Sequence, residues 1–166
     1  MKLLAIDPGD VQTAYCLMDS EFKIHDAGKV ANDEFIRYLW KNARQIDHVA
    51  VEMIASYGMA VGRNVFETCV MIGRIEQVAN QREIEHSRVY RQEEKLCICH
   101  DSRAKDSNIR AALIDRFAKH DTKRGTGTKK NPDHFYGISK DMWSAFAVGV
   151  VYLDGIKGLF TRKGDA

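Results

Sequence analysis

The sequence predicts an α/β fold on a mixed five-stranded sheet, its first three strands antiparallel and the later ones parallel, flanked by helices. Three observations carry this. Two short apolar runs, in "KLLAID" and "HVAVEM", each stop at a carboxylate, as buried strands do at a sheet edge. Two segments after a Pro-Gly turn alternate at period two, the pattern of half-buried strands in a meander. An amphipathic stretch then separates the meander from "HVAVEM", and a strand reached through a crossover helix lies parallel to the one before it.

Residues 2–7 form the first strand, ended by Asp7-Pro8-Gly9. A buried strand is a costly place for a carboxylate, so Asp7 either serves the turn or is held there for chemistry. In the second strand, Thr13 to Asp19, Tyr15 and Leu17 share one face and Ala14, Cys16 and Met18 the other. "EFKIHDAGKV" supplies the third through Phe22, Ile24 and Asp26. Asn32 or Asp33 can cap the helix "DEFIRYLWKNAR", where Phe35, Ile36, Leu39, Trp40 and Ala43 fall at helical spacing. If the fourth strand neighbours the first, Asp7 and Glu52 meet at their C-terminal ends, where open α/β sheets keep their ligand sites.

A long amphipathic helix is expected from Asn64 to Arg82, with Val65, Phe66, Cys69, Ile72, Ile75, Val78 and Ala79 along one face. "EHSRVYR" reads as the fifth strand, followed by short helical pieces. "SNIRAALIDRFAK" is a helix capped by Ser107, with Ile109, Ala112, Leu113, Ile114 and Phe117 toward the core. Asp121 to Asp133, rich in Gly, Thr, Lys and Asn, reads as a flexible basic loop. The last helix starts at Ser139 or Lys140 and runs through "DMWSAFAVGVVYLDG", with Asp141 in its first turn.

Composition narrows the function classes. With 45% hydrophobic and 29% charged residues over 166 positions, the chain is expected to be a single globular domain, 1–166, rather than disordered or fibrous. Four apolar residues before Asp7 are too few for a signal-peptide core, and no later run approaches a membrane span, so a cytoplasmic protein without a membrane partner is expected. Cys16, Cys69, Cys97 and Cys99 show no secreted framework, and "CICH" (Cys97 to His100, with His86 upstream) lacks the second pair that a structural zinc site needs. Net charge is +2, yet residues 103–140 carry ten Lys or Arg against four Asp, a balance of +6 that leaves −4 elsewhere. That basic third suits either a polyanion contact or a solvated helix and loop.

Asp7, Glu52 and Asp141 each punctuate the edge of a buried apolar segment. Singly, each has an ordinary explanation: a turn residue, a strand end, a helix start. Together, three carboxylates repel unless a divalent cation lies among them, and hard oxygen ligands suit Mg²⁺ or Mn²⁺. A pair of such ions can activate a water and stabilise the leaving oxygen of a phosphodiester, which outlines a nuclease.

These residues resemble the RuvC-type Holliday junction resolvases. "LLAIDPGDVQTAYCLMD" is similar to that family's opening strand and hairpin, with the first acid in an Ile-Asp-Pro-Gly turn. "HVAVEM" falls where the family keeps its Glu, and "KDMWSAFAVGVVY" resembles its closing helix. The likeness covers essentially the whole chain and extends to the small RuvC-like proteins of phages and prophages, which would place it in a bacterial host's cytoplasm. It implies a ribonuclease H-like fold and catalytic, metal-binding roles for Asp7, Glu52 and Asp141 with Mg²⁺ or Mn²⁺, two ions. It also implies hydrolysis leaving a 5′-phosphate, and a homodimer acting on branched DNA, joined through the long helix after Glu52. One departure stands out: the family's second acid, one turn along the closing helix, is Ser144 here, with Asp133 a possible substitute. Lys129, Lys130 and Lys140 are candidates for DNA phosphates, and Tyr57 for stacking on an unpaired base. The alternatives are a nuclease for RNA–DNA hybrids or other branched substrates, and a catalytically inert nucleic-acid-binding protein. An actin-like or sugar-kinase-like ATPase is disfavoured because 166 residues leave no room for its second domain.

Overall fold

A computed structural model describes residues 1–56, 58 and 60–159. The strands are β1 (Lys2–Pro8), β2 (Gln12–Asp19), β3 (Ile24–Ala31), β4 (His48–Met53) and β5 (Glu85–Tyr90), in spatial order β3-β2-β1-β4-β5. β2 pairs antiparallel with β1 and β3, while β1, β4 and β5 run parallel, as expected. The helices are α1 (Asn32–Asn42), α2 (Arg63–Gln81), α3 (Arg91–Cys99), α4 (Asp106–Phe117) and α5 (Met142–Ile156).

Both faces of the sheet are covered, which is why β1 and β4 read as continuous apolar runs. Leu4, Ile6, Tyr15, Leu17, Val49 and Val51 pack with α1 and α2. Leu3, Ala5, Ala14, Cys16, Met18, Ala50 and Val89 pack on the opposite face with α3, α4 and α5. Lying between sheet and helices, α5 is buried almost all round from Trp143 to Asp154. A Cβ at Gly149 would come within 2.5 Å of Met18 Cε and 3.1 Å of Ala5 Cβ, so the glycine lets α5 lie close on β1 and β2. Asp154 is tied to α4 by two hydrogen bonds from Arg116, at 2.6 and 2.8 Å.

Several local expectations are corrected. Neither Asn32 nor Asp33 caps α1: Asn32 Nδ2 donates to the carbonyls of Gly9 and Asp10, and Asn32 Oδ1 accepts from Thr13 Oγ1, pinning the turn after Asp7. Asp33 instead accepts from Arg74 of α2 at 2.6 Å. Lys105 holds the cap position of α4 in place of Ser107, and its N–H donates to Asn108 Oδ1. The buried stripe of α2 runs through Thr68, Met71, Ile72, Ile75, Val78 and Ala79, leaving Phe66 and Val70 in solvent. Trp40 is exposed on α1 with the Arg82 guanidinium over its ring.

The basic loop is a built structure. Asp133 accepts from the N–H groups of Lys119, His120, Asp121 and His134. Asp121 accepts from Arg124 and Gly127, and Gly125, at φ +71, lies against the Phe135 ring. All four cysteines are free thiols, and Cys97 is buried beside Asp154. Among the described residues, no helix is long and apolar enough to cross a membrane.

Candidate functional site

Strand register brings the first two acids together. Ile6 pairs with Val51 across the parallel β1–β4 ladder, so Asp7 and Glu52 are the next residues on adjacent strands. Side chains alternate along a strand. Ile6 and Val51 pack on the α1/α2 face, so Asp7 and Glu52 project to the face of α3 and α5. Asp141 arrives there from above, as the residue preceding the first turn of α5. The row continues across the sheet: Asp7 pairs with Ala14, and Ala14 with Lys29. With only a methyl group between them, the Lys29 ammonium reaches across and pairs with the Asp141 carboxylate.

The electrostatics are those of acids crowded out of water. Burial, then the charge of Glu52, pushes Asp7 up to about 8. Burial, then the charge of Glu94, pushes Glu52 up to about 7 against the opposing pull of Arg91. The two carboxyls are close enough to act directly on one another, which raises Asp7 further and lowers Glu52.

Glu94 was not singled out from sequence. It lies on α3, which leaves the C-terminal end of β5 with no intervening loop and so starts at the sheet edge that carries Asp7 and Glu52. Its side chain is fully buried; burial raises its pKa to about 8, Arg91 opposes this, and Asp7 adds to it. Arg91 pairs at once with Glu94 and with Asp106 of α4, yet among the described residues Glu94 Oε1 has no hydrogen-bond partner. The signal available in sequence was positional: an acid one turn after the third parallel strand belongs to the same edge as the acids that end the first two.

Two cavities flank Asp141. One, of about 190 Å³, is lined by Asp7, Asp10, Lys29 and Asp141. The other, of about 310 Å³, gathers Arg91, Arg110, Lys140, Trp143 and Ser144 around Asp141. Lys140, at φ +49, therefore lies beside the acids, and Ser144 faces the same space. Lys129 and Lys130 do not line either cavity; they are the exposed corners of a tight turn closed by reciprocal bonds between Thr128 and Asn131. Asp133 is committed to the loop backbone and is no substitute for a fourth acid at this site. Tyr57 lies outside the described residues.

Among the described residues, no group of three or more His, Cys, Asp and Glu side chains stands ready to share a metal ion. The outer acids are engaged by cations instead, Asp141 by Lys29 and Glu94 by Arg91. The donor chemistry nevertheless suits a hard divalent cation. Two adjacent carboxyls are both raised by burial and by neighbouring negative charge, and among the described residues the buried Glu94 Oε1 has no hydrogen-bond partner.

No family model matches the chain, and no curated protein matches it in sequence. Among solved structures, that of Thermus thermophilus RuvC is 13% identical, with a TM-score of 0.65 over 95% of this chain and 97% of that one. T. thermophilus RuvC in complex with a Holliday junction substrate is 12% identical, with a TM-score of 0.70 over 95% of this chain and 96% of that one. The chain therefore has the RuvC-like, ribonuclease H-like fold: a mixed five-stranded sheet flanked by helices.

Proposed function

We propose that the chain is a metal-dependent, structure-selective endonuclease that resolves four-way (Holliday) junctions and other branched DNA by phosphodiester hydrolysis, a crossover junction endodeoxyribonuclease of DNA recombination and repair. The observation that supports this is the pairing of Asp7 with Glu52, in register on parallel strands of a RuvC-like sheet, on the face that Asp141 enters. These three acids are the catalytic residues and would hold Mg²⁺ or Mn²⁺, two ions. When bound, such cations supply activation of a water and stabilisation of the leaving oxygen.

The remaining steps belong to the chain. Asp7, whose carboxyl is raised by burial and by the charge of Glu52, would release its proton to solvent so that both residues offer carboxylate oxygens. Lys140 and Arg110, lining the larger cavity beside Asp141, hold phosphates that flank the cut. Lys129 and Lys130 contact the backbone farther out, and Tyr57 stacks on an unpaired base at the crossover. Phosphate contacts of this kind give salt-dependent affinity and position the strand without reading bases. The product strand ends in a 5′-phosphate. A second copy of the chain covers the exposed Phe66 and Val70 of α2, giving a homodimer with one site for each exchanging strand.

One observation favours a second reading, an inert nucleic-acid-binding protein: Lys29 already neutralises Asp141, and Ser144 adds no charge. Cleavage decides between them. A labelled immobile four-way junction, a linear duplex, a flap and an RNA–DNA hybrid are incubated with Mg²⁺, Mn²⁺ or EDTA. Paired metal-dependent nicks confined to the junction support the resolvase, and cutting of every branched substrate a broader debranching nuclease. Tight junction binding without cutting under either metal would replace both with the inert protein.

A further inference from the structure

We propose that Glu94 is a ligand of the divalent cation at this site, taking over from the carboxylate absent at position 144. This rests on the nuclease reading of the same site and names a residue that neither the motif nor the sequence spacing assigns.

Four observations converge on Glu94. Its side chain is fully buried, a place where a glutamate persists only with a charge partner. Its Oε2 takes that partner, Arg91, but among the described residues its buried Oε1 has nothing to accept from. A carboxylate serving only the Arg91 pair would not need to leave one oxygen bare beside two further acids. Glu94 also lies at the sheet edge of Asp7 and Glu52: Glu52 pairs with Val89 across β4 and β5, and α3 starts directly after Tyr90. Finally, Arg91 is doubly paired: Asp106 continues to hold it when Glu94 turns its charge to a cation.

The neighbouring residue at 144 explains the need. Ser144 lines the cavity beside Asp141, but a neutral hydroxyl is a weak donor to a hard cation, and a site built on Asp7, Glu52 and Asp141 alone is one carboxylate short. Arg91 and Lys29 supply the positive charge in the metal-free chain, each on an outer acid.

The test is Mn²⁺ binding by titration calorimetry on the whole chain, for the wild type, Glu94→Asp, Glu94→Gln and Asp7→Asn, with folding followed by circular dichroism melts. Glu94→Asp keeps the charge and the Arg91 partner but withdraws the oxygens by one methylene. Both Glu94 variants are expected to weaken Mn²⁺ binding by at least about 10–100-fold, the cost of losing even an outer partner of a metal ligand. Wild-type affinity in a folded Glu94→Asp overturns the proposal, and this arm decides alone if Glu94→Gln fails to fold. If Asp7→Asn abolishes binding while the Glu94 variants retain it, this inference fails and the nuclease reading survives. Unchanged Mn²⁺ binding in Asp7→Asn would sink both.

Discussion

Asp7→Asn should remove a large part of the pH dependence of stability that burial of Asp7, Glu52 and Glu94 gives the metal-free chain between pH 5 and 8. Asp7 holds its proton up to about pH 8 in the fold but releases it near 3.8 when unfolded. Between those values the folded state binds more protons than the unfolded one. The stability this contributes is thus complete below about pH 4 and is lost as pH rises through about 8. At about 1.4 kcal/mol per proton and pH unit, three units set a ceiling of roughly 4 kcal/mol. Glu52 is coupled to Asp7 and takes part of the titration, so about 2–4 kcal/mol is expected. For a chain of this length that is a shift of about 5–15 °C in Tm. His134, whose pKa burial lowers, slopes the other way below its usual range but does so equally in both proteins. The backbone N–H bonds that hold Asp121 and Asp133 below the usual carboxylate range put their titration beneath this window. Thermal melts in EDTA at pH 5, 6, 7 and 8 make the measurement. The wild-type Tm should fall by 5–15 °C more than that of Asp7→Asn, and Mn²⁺ at pH 8 should raise the wild type alone. Parallel pH profiles for the two proteins would refute the coupling of Asp7 to Glu52.

Four further outcomes are expected. Gly149→Val should destabilise the chain by about 1–3 kcal/mol by driving side-chain atoms into Met18 and Ala5, read from urea midpoints. Asp133→Ala should leave the N–H groups of residues 119–121 without an acceptor and speed hydrogen exchange across the loop, while the exchange of β1 stays unchanged. Arg110→Ala with Lys140→Ala should weaken junction binding and lower its salt slope by about 1–2, with little effect on melting. Phe66→Glu with Val70→Glu should keep the wild-type Tm within a few degrees, since both side chains are exposed, and, if α2 joins two copies as proposed, shift the chain from dimer to monomer in sedimentation.

The legible part of this molecule is what local pattern dictates. β1 and β4 are apolar on both faces, and that continuity, with a helix between strands, predicts that the two run parallel; that they are neighbours, which sets Asp7 beside Glu52, is read only from the fold. Register is then strongly specified, because a one-residue slip of either strand would turn that strand's acid to the α1/α2 face. Pattern failed where one residue type has two uses. Asn32 is as good a clamp for a turn as a cap for a helix, and only the fold brings the Gly9 and Asp10 carbonyls to it. On α2 the apolar residues make two adjacent stripes, and nothing local says that the one through Met71 and Ile75 faces the sheet while Phe66 and Val70 face water. The loop before α5 has the composition of a flexible segment, but Asp133 gathers backbone donors that composition does not reveal. Glu94 and Lys29 escaped notice because their relation to the acids is lateral, across strands and helices far apart in sequence.

The most direct measurement of the central claim is single-turnover cleavage of a four-way junction by wild type, Asp7→Asn, Glu52→Gln and Asp141→Asn, with junction affinity measured on the same preparations. The expected result is metal-dependent nicking by the wild type, none by the three amide variants, and junction affinity retained in all four. Wild-type turnover by Asp7→Asn, or a wild type that binds the junction and never cuts it with Mg²⁺ or Mn²⁺, would contradict it.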